Sequence, residues 1–248
     1  MSAFPAGSSH AGGRLTWLGH STVVIELDGV RLVTDPLLRR RVAHLVRDTE
    51  PPAVRTVDAV LLSHLHFDHL DLPSLEALGR STPIVAPRGS RRLLRRFADV
   101  TEIAVGETIG IGGVGITATP AAHDGRRWPI GRPLDALGYV IEGSSRVYFA
   151  GDTDLFPGMA ELAPVDVALL PVWGWGRTVG HGHLDPPRAS AAVGLLRPRV
   201  VVPIHWGTYR IAGARRPDRS PPERFRGLAL DAEVRILAPG ESLALPVS

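Results

Sequence analysis

The chain has 248 residues, 44% of them hydrophobic, enough to bury the core of one large domain. It contains no cysteine, so disulfides and thiolate ligands are excluded and any bound metal must rest on His, Asp or Glu. The formal net charge at pH 7 is only +3, and the pI of about 10.1 exaggerates it, because every basic residue is Arg and only three Tyr offset the surplus as pH rises. These Arg are scattered through turns, which suits a solvated surface better than a nucleic-acid-binding patch.

Residues 1–13 are small and polar, without the charged start and apolar core of a secretory signal, and are expected to form a flexible tail. Residues 14–248 are expected to form a single domain. Short β-type runs follow at 15–18, 22–27, 31–34, 59–62, 84–86, 115–119, 139–141, 147–150, 167–170 and 200–204, most of them bounded by Gly, Pro or Asp. Helical patterns lie between some of these runs, at 72–78, 91–97, 155–162 and 187–196. Strands interleaved with short helices predict an α/β protein whose helices cover sheet faces. Stretches 38–56, 123–136 and 173–187 read as loops, and loops of such length are often functional. No window of about 18 uninterrupted apolar residues exists, so no membrane-spanning helix is expected. A cytoplasmic location is the simplest fit, although a chain without cysteine suits either redox compartment.

The densest chemical signal is His64-Leu65-His66-Phe67-Asp68-His69, just after an apolar run. Alternate side chains of an extended segment point the same way, so His64 and His66 can grip one ion while Asp68 and His69 face a second. Imidazole and carboxylate suit zinc and other borderline divalent metals. Three later residues stand where β-type runs meet loops: His123, Asp152 and His205. Taken singly, each reads more readily as a hydrogen-bonded surface or turn residue than as a ligand. Together with the cluster they supply enough ligands for a two-metal site.

The cluster matches the HxHxDH signature of the metallo-β-lactamase superfamily, and His123, Asp152 and His205 fall in the order that superfamily uses. Trp17-Leu18-Gly19-His20-Ser21-Thr22, Thr34-Asp35-Pro36, His183-Leu184-Asp185-Pro186 and His205-Trp206-Gly207-Thr208 resemble one branch of it. That branch contains ascorbate-phosphate lactonases and N-acyl-phosphatidylethanolamine-hydrolysing phospholipases D. The resemblance implies a four-layer αββα sandwich of two mixed sheets flanked by helices. It implies that His64, His66 and His123 bind one metal, that Asp68, His69 and His205 bind the other, and that Asp152 bridges them. It further implies a hydrolase using a metal-bridging hydroxide on an ester, lactone or phosphodiester bond of a small or lipid-like substrate, with Asp68 orienting the nucleophile or shuttling a proton to the leaving group. Zinc is the first expectation for the two divalent ions, but manganese or iron would be held by the same donors. Two alternatives stay open: an RNA-processing phosphodiesterase, and a non-catalytic metal-binding protein on the same fold. A true β-lactamase is disfavoured by the absence of the Cys ligand that the well-known zinc lactamases commonly use.

Around this core, Asp35 and His20 are candidates to orient the ligands, although each also reads as turn chemistry. His183 is a candidate to polarise substrate or protonate a leaving group. His181 shares its glycine-rich segment, and Asp185 is expected to cap the helix that follows. Trp128, Trp173 and Trp175 are candidate pocket walls. Arg126, with Arg127, Arg132 and Arg177, could attract an anionic substrate or simply be solvated. Nothing calls for a nucleic-acid partner, and homo-oligomerisation is left open.

Overall fold

The structure is a computed structural model that describes residues 13–127, 134–176, 178–214 and 218–247. The described part opens with an antiparallel meander of β1 (Arg14–Gly19), β2 (Thr22–Leu27) and β3 (Val30–Thr34). A two-residue pair follows, β4 (Arg41–Val42) and β5 (Leu45–Val46), then β6 (Ala59–Leu61), α1 (Leu72–Leu78), β7 (Ile84–Pro87) and β8 (Val100–Ile103). The second half contains β9 (Thr108–Ile111), β10 (Val114–Asp124), β11 (Asp135–Glu142), β12 (Arg146–Phe149), β13 (Val167–Pro171), α2 (Pro186–Leu196), β14 (Val200–Ile204), β15 (Arg210–Ile211), α3 (Pro221–Leu228), β16 (Glu233–Val234) and β17 (Ser242–Ala244).

The strands form two seven-stranded mixed sheets, ordered β17-β1-β2-β3-β6-β7-β8 and β16-β14-β13-β12-β11-β10-β9. A small third sheet joins β15, β5 and β4. Alternation along each strand turns one face of each large sheet inward. Leu15, Trp17, Val23 and Ile25 thus meet Ile116, Tyr139, Ile141 and Phe149 in one buried cluster. On the outer face of the second sheet, Ala189, Ala192, Val193 and Leu196 of α2 and Phe225 of α3 pack against Val140, Tyr148, Ala168 and Val201. On the outer face of the first sheet, Leu75 of α1 packs with Val33, Val60 and Leu62. The result is the four-layer sandwich. Strands such as β14, Val-Val-Val-Pro-Ile, are buried on both faces and so read as unbroken apolar runs.

The helices start where local chemistry dictates. Asp71 caps α1 by accepting from the Ser74 backbone N–H and hydroxyl, at 3.1 and 2.6 Å. Asp185 caps α2 as expected, accepting from the Arg188 N–H at 3.0 Å, with prolines in the first turn whose missing N–H groups cost nothing there.

Four features depart from the sequence reading. Residues 91–97 form consecutive turns, not a helix. Leu93, Leu94 and Phe97 close only local bonds onto Ser90 and Leu94, too few to repay nucleation. Within 155–162 the helical part is a 3₁₀ segment, Pro157–Leu162. The 38–56 loop carries β4 and β5, which pair with each other, and β15 adds to the other edge of β5. His123 lies inside β10 and not beyond it. That strand continues past an irregularity after Pro120, with Ala122 N–H donating to the Thr153 hydroxyl at 2.9 Å. Among the described residues no helix is long and apolar enough to cross a membrane.

Candidate metal centre

The sequence-predicted ligands come from distant parts of the chain and meet at one edge of the sandwich. β6 leads into His64, His66, Asp68 and His69, β10 carries His123, β12 leads into Asp152, and β14 leads into His205. Gly151 makes the approach of Asp152 possible. Its φ is +60°, and a Cβ there would stand 2.6 Å from Ser63 Cβ.

One group of donors is His64, His66 and His123, with His66 Nδ1 3.2 Å from His123 Nε2. A second is His20, Asp68, His69 and His205, with the Nε2 atoms of His69 and His205 3.2 Å apart and Asp68 Oδ2 3.5 Å from His205 Nε2. Asp152 stands between them. Its Oδ2 is 3.1 Å from His69 Nε2 and 3.9 Å from His64 Nε2, and its Oδ1 is 3.3 Å from His205 Nε2.

The outer nitrogens of these rings are already committed. Nδ1 of His123 donates to Gly182 O at 2.8 Å, and Nδ1 of His205 donates to Trp173 O at 2.8 Å. A carbonyl only accepts, so each of these Nδ1 atoms carries the proton, and in a neutral ring Nε2 turns a lone pair inward. His69 Nδ1 lies 2.7 Å from Asp35 Oδ2, and Asp35 in turn accepts from the Ser63 N–H at 2.7 Å and hydroxyl at 2.5 Å. Asp35 therefore joins Ser63 to a cluster histidine. His20 Nε2 lies 3.1 Å from Asp68 Oδ2.

The donor set fits divalent cations. His64 Nε2 and Asp152 Oδ1 are buried and have no hydrogen-bond partner among the described residues, which is costly unless something else satisfies them. Two nitrogens each about 2.0–2.1 Å from a tetrahedral ion stand roughly 3.3 Å apart, close to the 3.2 Å observed in both pairs. Most of the rings are held neutral, with His69 the exception. Burial holds His64 well below the usual imidazole range, His123 at about 4 and His20 at about 3. Metal binding needs such neutral rings. Burial alone would raise Asp68 and Asp152, but the surrounding histidines outweigh it and hold both carboxyls well below the ordinary range. Burial likewise opposes charge on His69, yet Asp152, Asp68 and Asp35 overcome it and push that ring well above its usual value. Buried carboxylates here demand positive charge.

Backbone strain concentrates at the same place. His20, Asp35 and His205 adopt φ of 53°, 34° and 61°, unusual for residues with a Cβ. The surroundings hold them there. His20 O accepts from Trp17 Nε1 and from the His205 N–H, both at 2.9 Å.

A cavity of about 290 Å³ opens onto both donor groups. Trp173, Trp175 and Val179 form part of its wall, and His183 sits beside Asp68 and Asp152. His183 Nε2 is 3.3 Å from Asp152 Oδ2. Burial lowers its pKa, but the contact with Asp152 more than compensates, leaving it at about 9. Trp175 does more than line the wall, since its indole N–H donates to Asp68 Oδ2 at 2.9 Å. Arg126 folds back onto Asp124, and Arg127 donates to Leu65 O and Leu70 O while stacking over Phe67. His181 contributes its carbonyl to His183 Nδ1, at 3.1 Å. Trp128, Arg132 and Arg177 lie outside the described residues. The sequence reading missed Ser63, the Gly182 and Trp173 carbonyls, and the Tyr139 hydroxyl, which fixes Leu62 O at 2.7 Å. Only the position of Ser63 next to His64 could have pointed to it.

Comparison with known proteins agrees with this geometry. Residues 30–206 match the family model described as the β-lactamase superfamily domain. A UPF0173 metal-dependent hydrolase of Methanopyrus kandleri is 36% identical, over 92% of this chain and 98% of that one. A metallo hydrolase from the hyperthermophilic archaeon Ignicoccus hospitalis superposes with a TM-score of 0.74 at 28% identity, over 96% of this chain and all of that one. A diiron β-hydroxylase from Streptomyces venezuelae shares the fold, with a TM-score of 0.70 at 20% identity over 95% of this chain and 54% of that one. With sequence, sandwich and donor cluster in agreement, the chain belongs to the β-lactamase superfamily and, within it, to the UPF0173 metal-dependent hydrolases.

Proposed function

We propose that this hydrolase holds two divalent ions, zinc being the first choice, and cleaves an ester, lactone or phosphodiester bond of a small or lipid-like substrate. His64, His66 and His123 would hold one ion, Asp68, His69 and His205 the other, and Asp152 would reach both. The observation that carries this reading is the pair of facing imidazole contacts, each 3.2 Å, with Asp152 buried between them. When bound, the ions supply a nucleophile from water near neutral pH and polarise the oxygen of the bond under attack.

The chain's own residues do the rest. Asp35, Gly182 O and Trp173 O fix the rings so that their lone pairs converge. Asp68 orients the attacking water. His183, at the cavity wall beside Asp152, donates a proton to the leaving group. Trp173 and Val179 cover the apolar body of the substrate and exclude water.

The test is metal analysis of the purified protein beside a panel of p-nitrophenyl esters, lactones, bis-p-nitrophenyl phosphate and precursor transfer RNA. Chelator-sensitive hydrolysis among the first three classes is expected. Specific, efficient cleavage of the RNA would overturn the small-substrate reading.

A further inference from the structure

The segment that walls the cavity is also bonded to the metal-type donors. Trp173 O holds His205, Gly182 O holds His123, His183 faces Asp152, and the Trp175 indole holds Asp68. Trp175 differs from the others because its contact is made by a side chain that is not itself a donor to metal. Indole N–H can only donate, and the atom it meets, Asp68 Oδ2, is the one that faces His205 Nε2 at 3.5 Å and His69 Nε2 at 3.8 Å. The ring is held from behind. It meets His44 edge-on at 5.4 Å and packs against the cluster of Leu37, Val42, Leu45 and Tyr209. A ring fixed on one side and bonded to a carboxylate on the other can set the direction of that carboxylate.

We propose that Trp175 is a positioning residue for Asp68: its indole N–H fixes the carboxylate of the second donor set, and so ties the wall of the substrate cavity to the affinity of that set for its ion. The inference rests on the two-ion reading above. Coupling of this kind is reciprocal. Whatever seats the wall strengthens the second site, and an ion in the second site strengthens binding against the wall.

Stepwise zinc titration of chelator-stripped protein against a chromophoric chelator tests this, using the intact chain, Trp175→Phe and His44→Ala. The intact chain should take two equivalents. Trp175→Phe, which keeps an aromatic ring and deletes the donor, should bind the first equivalent as the intact chain does and the second about tenfold or more weakly, within the range for groups that orient metal ligands. Its kcat should fall at limiting zinc and recover in excess zinc, a rescue that a purely structural defect would not show. His44→Ala loosens the ring's packing without removing the N–H, and should weaken the second equivalent less than Trp175→Phe does. If Trp175→Phe does not fold, benzothienylalanine at position 175 replaces N–H by sulfur in the same bicyclic shape and should show the same selective loss. An unchanged second affinity in the variant lacking the donor overturns the proposal, and so does an equal loss in His44→Ala. An intact chain that takes fewer than two equivalents overturns the two-ion reading instead.

Discussion

His64 Nε2 and Asp152 Oδ1 are the atoms that best define the centre, being buried polar groups with no hydrogen-bond partner among the described residues. His66→Ala and Asp152→Ala should each reduce hydrolysis by more than about 100-fold, beyond the 10–100-fold typical of groups one step removed from a metal. Both should lower metal content while far-UV circular dichroism is preserved. Full activity with full metal occupancy in either variant would show the ligand assignment to be wrong. Asp35→Asn removes the charge behind His69 and should weaken metal affinity about 10–100-fold, read by chelator competition. The donors that meet at the candidate centre were legible in the sequence, because His64, His66, Asp68 and His69 carry their chemistry in their identity. Much of what orients them was not. Gly182 and Trp173 act through backbone carbonyls, which any residue possesses, and Ser63 acts through its position.

At the scale of elements, the strands read most clearly were central ones. β13 and β14 are buried on both faces, so their apolar runs carry the signal unaided. β8, β9 and β16 escaped, since an edge strand's pairing depends on a neighbour that a local pattern does not reveal. β4, β5 and β15 are two residues each, too short for any periodicity. α3 escaped because Pro221, Pro222 and its charged residues mask a single deeply buried anchor, Phe225. The α2 cap yields a prediction at this scale. Asp185→Ala should cost about 0.5–2 kcal/mol in urea unfolding of the chelated protein and leave metal content unchanged. Loss of metal would mean that Asp185 reaches the centre through His183, two residues away.

For the whole molecule, the histidines pull stability in opposite directions with pH. In the chelator-stripped protein, His69 is raised and His183 stands at about 9, against 6.5 when unfolded. Their contribution is fully present below 6.5 and is lost as pH rises through the folded values. His20 at about 3, His123 at about 4 and His64, also lowered, do the reverse. Their contribution is complete above 6.5 and is lost as pH falls toward the folded values. The melting temperature of the stripped protein should therefore peak near the reference value of 6.5. A steady rise or fall through that region would contradict the protonation pattern. Metal binds the folded chain in preference to the unfolded one, so loading should raise the melting temperature as metal concentration increases.

The central claim is that two ions, held by donors gathered from across the chain, perform the hydrolysis. Metal content of zinc-reconstituted protein, followed beside activity as a chelator removes the metal, tests it most directly. The expected result is two equivalents per chain, with hydrolysis lost as they are withdrawn. Saturation at one equivalent or fewer, or hydrolysis that persists in the stripped protein, would contradict it.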